Sequence, residues 1–100
     1  MGQVDFKAIN AAALADLPSL LRRWLPDGQV AGEEFTAKNP RRADRRPGSF
    51  RINCHSGRWC DFATGDRGGD VVSYIAFIMG TGQLEAARRL AAALGISAEA

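Results

Sequence analysis

Nine side chains in this sequence could hold a polyanion: Lys38, Arg41, Arg42, Arg45, Arg46, Arg51, Arg58, Trp59 and Arg67. Arginine stays charged at physiological pH, forks onto phosphate oxygens and stacks on bases. From Lys38 to Arg58, seven cations stand against Asp44 alone. That segment carries +6 in a chain whose formal net charge is +2, so the remainder is −4. Charge segregated in this way is the electrostatic footprint of a nucleic-acid surface. Ion pairs with Asp44, Glu33 and Glu34 would absorb a few of these cations, at ~0–1 kcal/mol per exposed pair. The nearby acids are too few to absorb them all.

Three aromatic residues lie among the cations. Phe50 and Phe62 read as core residues. Trp59 points opposite to Cys60 by strand alternation and suits either the core or a stacking platform for single strands, where each base stacked is worth ~1–3 kcal/mol. Gly65-Asp66-Arg67-Gly68-Gly69-Asp70 precedes a helix, and such loops can cradle anions on backbone N–H groups. This loop lacks the Lys-Ser/Thr of a nucleotide-binding P-loop, so it reads first as a turn.

Metal chemistry has three candidates, Cys54, His55 and Cys60, whereas structural zinc takes four ligands, typically in two spaced pairs. Cys54 and His55 are neighbours on a strand and point to opposite faces. The expectation is no metal and no cofactor. One histidine and no clustered carboxylates leave no catalytic group, so the domain itself reads as a non-enzyme.

Positioning these residues requires a folded domain. One hundred residues with 46% hydrophobic content suit a single α+β domain spanning 1–100. A first helix is expected from about Asp5 to Leu14. Asp16 should cap a second, with Pro18 in its first turn and Leu17, Leu20, Leu21, Trp24 and Leu25 as its buried stripe. Pro26-Asp27-Gly28 ends it. Glu33 to Ala37 reads as a strand anchored by Phe35, followed by a loop from Asn39 to Gly48. Ser49–Cys54 and Arg58–Phe62 read as a hairpin turning at Ser56-Gly57. The expectation is a small antiparallel sheet of about three strands, zinc-ribbon-like but metal-free, flanked by helices at both ends. Asp70 should cap a helix through Val71, Tyr74, Ile75 and Ile78. A last helix from about Gln83 to Leu94 places Leu84, Ala87, Leu90, Ala91 and Leu94 on one side, and Gly95-Ile96 fits a Schellman ending.

The order of these pieces resembles the N-terminal zinc-finger domain of bacterial-type DNA primases, most closely its zinc-less relatives in phage and plasmid primase-helicases. Pro47-Gly48-Ser49-Phe50 stands at that family's first strand, Trp59 to Gly65 at its Cys-x-x-Cys knuckle, and Gly68-Gly69-Asp70-Val71-Val72-Ser73 at the start of its hydrophobic helix. Leu84-Glu85-Ala86-Ala87-Arg88-Arg89-Leu90 to Ile96 stands at the closing helix. The similarity spans about Leu17 to Ile96, and its most specific stretches are Asp44–Phe50 and Gly65–Ser73. The metal ligands are missing at both of the family's ligand pairs.

The resemblance implies a module that engages single-stranded DNA template, set N-terminal to a primase catalytic domain or replicative helicase that supplies the chemistry. The contrasting expectation is a protein-interaction module docking on a replication helicase or polymerase, with the exposed face of the last helix as its surface. A zinc module built on Cys54, His55 and Cys60 is a third. No stretch approaches the ~20 apolar residues of a membrane span, and no signal peptide is evident. Together with the free thiols, this suggests a cytoplasmic setting.

Overall fold

The computed structural model describes residues 3–41 and 49–99. Within them the chain is α+β. Helices α1 (Phe6–Ala15) and α2 (Leu17–Trp24) lead into strands β1 (Gln29–Ala31), β2 (Glu34–Ala37), β3 (Phe50–Asn53), β4 (Trp59–Asp61) and β5 (Arg67–Gly68). Helices α3 (Val71–Met79) and α4 (Gln83–Leu94) close the domain. The strands form one antiparallel meander in the order β1-β2-β3-β4-β5.

The expected three strands are β2, β3 and β4; the sheet has five, so that expectation falls short by two. β1 escaped notice because all three of its residues are exposed and show no alternation. β5 is two residues long and lies inside the glycine loop. The chain ends meet: Val4 bridges Glu99, and the Asp5 N–H donates to the Ala98 carbonyl at 2.9 Å.

Capping chemistry sets the helix boundaries. The Asp5 carboxylate accepts from the Ala8 N–H at 3.0 Å and starts α1. Asp16 stands at the α2 cap without a side-chain bond, and Pro18 occupies the first turn, where its missing N–H costs nothing. Gly95 takes the left-handed conformation (φ 70°), and the Ile96 N–H reaches the Ala91 carbonyl at 3.0 Å, a Schellman ending. The buried face of α4 is Ala86, Ala87, Leu90 and Ala91. Leu84, expected inside, is exposed.

One sheet face packs on the helices. Phe35 and Ala37 of β2, Phe50 and Ile52 of β3, and Trp59 of β4 are buried there. The Phe50 ring stacks on Tyr74 at 5.1 Å between centroids, and Trp59 meets Phe50 and Tyr74 edge-on at 6.0 and 5.7 Å. Such geometry adds ~0.5–1.5 kcal/mol per pair beyond area burial.

A hydrogen-bond hub locks α3 to this sheet. The Trp59 indole N–H donates to Ser73 Oγ at 2.9 Å, and the same hydroxyl donates to the Asp70 carbonyl at 2.8 Å. The Ser73 N–H donates back to Asp70 Oδ1 at 2.8 Å, completing a capping box. Asn10 of α1 accepts the Val72 N–H at 2.9 Å. These two helix-terminal N–H groups are therefore spent inside the protein, and of the glycine loop Gly65 alone takes positive φ while Arg67-Gly68 forms β5.

The hub needs Gly68, because a Cβ there would collide with Trp59 Nε1 and Ser73 Oγ. Gly68→Ala should lower the unfolding free energy by about 1–3 kcal/mol, the range for overpacking. Gly69→Ala, where a Cβ meets nothing within 4 Å, should stay within about 0.5 kcal/mol. Urea denaturation of the two variants checks this.

Tyr74 supplies a second test. It is fully buried, and among the described residues its hydroxyl has no hydrogen-bond partner. Burial, then the neighbouring Cys54, pushes its pKa well above the ordinary phenol range. The folded state thus favours the neutral phenol. That contribution is complete below about pH 10, where unfolded tyrosine ionises, and is lost as pH climbs further. Tyr74→Phe removes the orphan hydroxyl and should raise stability by about 1 kcal/mol at neutral pH. It should also flatten the decline above about pH 10, as read from unfolding midpoints across pH.

Candidate nucleic-acid interface

Side chains alternate across a strand, so the residues between the core anchors of β2–β5 project from the opposite face. Cross-strand register arranges them in rows. Thr36 pairs with Arg51, Arg51 with Cys60, and Cys60 with Arg67. One step along, Glu34 pairs with Asn53, whose N–H donates to the Arg58 carbonyl at 2.8 Å. On the other side of the first row, the Phe62 N–H donates to the Ser49 carbonyl at 2.9 Å. Arg58, Phe62 and Arg67 are exposed, and Arg51, Asn53 and Cys60 are half-buried. Adjacent strands lie ~4.8 Å apart, which sets the Arg51 and Arg67 backbones roughly 10 Å apart across Cys60.

Trp59, for which either role was open, belongs to the core, and the expectation for Phe62 is overturned. Trp59 is 6% exposed and held in the core by Ser73, so its ring cannot serve as a stacking platform. Phe62, expected inside, is 70% exposed. The two are three residues apart on one extended segment, and odd spacing forbids both from facing inward. Register decides between them: Trp59 pairs with core residue Ile52 and with Gly68. The Arg51 guanidinium stands 5.3 Å from the Phe62 ring centroid, within cation–π range.

The hairpin that presents Phe62 is built from short polar bonds. The Ala63 N–H donates to Asp61 Oδ1 at 2.8 Å, the Gly65 N–H to the Asp61 carbonyl at 2.8 Å, and Thr64 Oγ1 to Asp66 Oδ2 at 2.8 Å. Gly65 has φ 83°, the left-handed backbone this turn requires.

The remaining candidates are dispersed. Arg41 lies at the C-terminal end of α3: a Cβ on Gly80 would sit 2.7 Å from its Nη1. A cation there is favoured by the helix dipole. Lys38 lines a separate groove of about 250 Å³ with Trp24, Leu25 and Pro26. Arg42, Arg45 and Arg46 lie outside the described residues. Thus Arg51, Arg58 and Arg67 share one face, while Lys38 and Arg41 stand elsewhere. Arg51 has a neighbouring acid, Glu34, at 3.9 Å, and both side chains are over two-fifths exposed. Such a pair is worth ~0–1 kcal/mol and is screened by salt.

Two buried polar residues that sequence reasoning missed tie this face to the basic segment. Asn39 Nδ2 donates to Asp61 Oδ2 at 2.7 Å, and Asn39 Oδ1 accepts the Arg41 N–H at 2.8 Å. Both side chains are buried. Nothing in their types or spacing announces the pair, because they are 22 residues apart, Asn39 in the expected loop and Asp61 in the expected strand.

Cys54 and Cys60 are free thiols. Burial, then the Glu34 carboxylate, pushes both thiols up from their ordinary pKa. His55 Nε2 lies 3.7 Å from Glu33 Oε1. Among the described residues, no group of three or more His, Cys, Asp or Glu is placed to hold a metal ion. No described helix is long and apolar enough to cross a membrane.

No protein-family model matches this chain, and no curated protein matches it.

Asn39→Ala withdraws one donor from a buried carboxylate. It should lower the unfolding free energy by about 1–3 kcal/mol, measured by denaturant titration.

Proposed function

We propose that this chain is a single-strand nucleic-acid-binding module of the kind that primases and primase-helicases use to hold template DNA. One observation carries the reading: a sheet face that presents Arg51, Arg58 and Arg67 together with an aromatic side chain, Phe62, that is 70% exposed and has the Arg51 guanidinium against its ring. Phe62 is the most exposed large apolar side chain among the described residues, and an open ring beside a guanidinium group is chemistry that stacks bases and tracks phosphates. The primase-like order of Pro47–Phe50, Trp59–Gly65 and Gly68–Ser73 supports template engagement in particular. Catalysis on that template would belong to a separate primase domain or a helicase partner.

A second reading, docking on a replication protein, rests on a different place. Trp24, Ile75, Ile78 and Met79 line an apolar groove of about 390 Å³ beside Arg23. It lies on α2 and α3 and takes in no residue of the sheet.

Fluorescence anisotropy with labelled single strands at several salt concentrations separates the two. The first reading expects binding that weakens as salt rises. Arg58→Ala and Arg67→Ala should each lower the slope of log K against log salt by about 0.7, the value for one single-strand phosphate contact. Phe62→Ala should weaken binding by about 1–3 kcal/mol, roughly 5- to 150-fold, with unchanged unfolding free energy. Absence of binding at low salt, or binding indifferent to these substitutions, would leave the docking reading in its place.

A further inference from the structure

The sheet face holds a feature that backbone tracking and stacking do not use. Beside Phe62, on the far side of Arg51, Glu34, Arg51, Asn53, Ser56, Arg58 and Cys60 surround an open depression of about 540 Å³. Glu34 is the one acid among its described lining residues. A carboxylate repels phosphate, so a surface made for backbone alone has no use for one among its arginines. Its pairing with Arg51 at 3.9 Å, in solvent, contributes too little to account for the position.

The depression offers acceptors and donors in a fixed order. The carboxylate accepts only, through two oxygens side by side. The amide of Asn53 is oriented by its neighbours: Oδ1 accepts the N–H groups of His55 and Ser56 at 2.8 and 2.9 Å. Among the described residues nothing takes its Nδ2 donors, which suits them to a ligand. Arg51 adds a second set of donors next to the carboxylate.

Among the four DNA bases, only guanine has two adjacent donors on its pairing edge, N1–H and N2–H₂, with the acceptor O6 beside them. Thymine presents one donor between two carbonyls, which a carboxylate repels. Adenine and cytosine each offer one amino group beside ring acceptors. Unstacked single strands expose these edges to side chains.

Resting on the single-strand reading above, we infer that this depression is a guanine subsite. Glu34 accepts from N1–H and N2–H₂, Arg51 and Asn53 donate toward O6, and the adjoining base stacks on Phe62. The subsite gives the module a base preference at one template position, on a face whose other contacts are indifferent to sequence.

The test is anisotropy with thymidine strands carrying one central dG, dA, dC or deoxyinosine, against the all-thymidine strand. A single guanine avoids guanine-quartet formation. Wild-type protein should bind the dG strand about 5- to 150-fold more tightly than the others, the discrimination of a good bidentate contact. Deoxyinosine, which lacks the N2 amino group, should lose most of that advantage. Glu34→Gln should bring the dG preference close to unity while binding to the all-thymidine strand holds or tightens. Equal affinity for all five strands, with normal salt dependence, overturns the guanine subsite and leaves single-strand binding standing. A preference for dG that survives Glu34→Gln overturns the assignment to Glu34. No binding to any strand overturns both the subsite and the reading beneath it.

Discussion

The hydrogen bond from the Trp59 indole to Ser73 fixes how the two layers of this domain meet. An indole N–H taken from water without an acceptor costs about 1–3 kcal/mol, so α3 has one favourable seat on the sheet. Ser73 is also committed to the cap of its own helix through Asp70. The start of α3 and its depth against β4 are therefore set by the same hydroxyl. Gly68 leaves the space, and the rings of Phe50, Tyr74 and Phe77 fill the region around it.

Once Trp59 is inside, alternation leaves no freedom for its neighbours. Cys60 must project from the other face, Asp61 back toward the helices, and Phe62 outward again. Cross-strand pairing then brings Arg51 and Arg67 to either side of Cys60. The cationic and aromatic character of that face is thus a by-product of how the core is keyed. Asp61, turned inward, has its carboxyl oxygens held by Asn39 and the Ala63 N–H, as a buried polar group requires. The same pair holds the start of the basic segment against the end of β4.

Much of the framework was legible along the chain because local rules and tertiary packing agree. Asp5 and Asp70 cap helices, Gly95 ends one, and Phe35 anchors its strand, each from side-chain chemistry that acts within a few residues. What escaped depends on partners distant in sequence. β1 is defined only by its pairing with β2, since Gln29, Val30 and Ala31 show no pattern of their own. Leu84 fits the helical stripe, yet the inward face of α4 turns to Ala86 instead. At the candidate site, Arg51, Arg58 and Arg67 were visible as charges. Their convergence without Lys38 and Arg41 follows from strand register, which charge counting does not see. The choice between Trp59 and Phe62 turned on a single-residue parity that either aromatic could have won until Ile52 and Gly68 settled it.

The contact between Val4 and Glu99 bears on how such a domain can be carried. Polypeptide attached before or after it would depart from neighbouring points, like two leads from one socket. Grafting into a surface loop of a host, or rejoining the ends and opening the chain elsewhere, then demands little rearrangement of the folded unit.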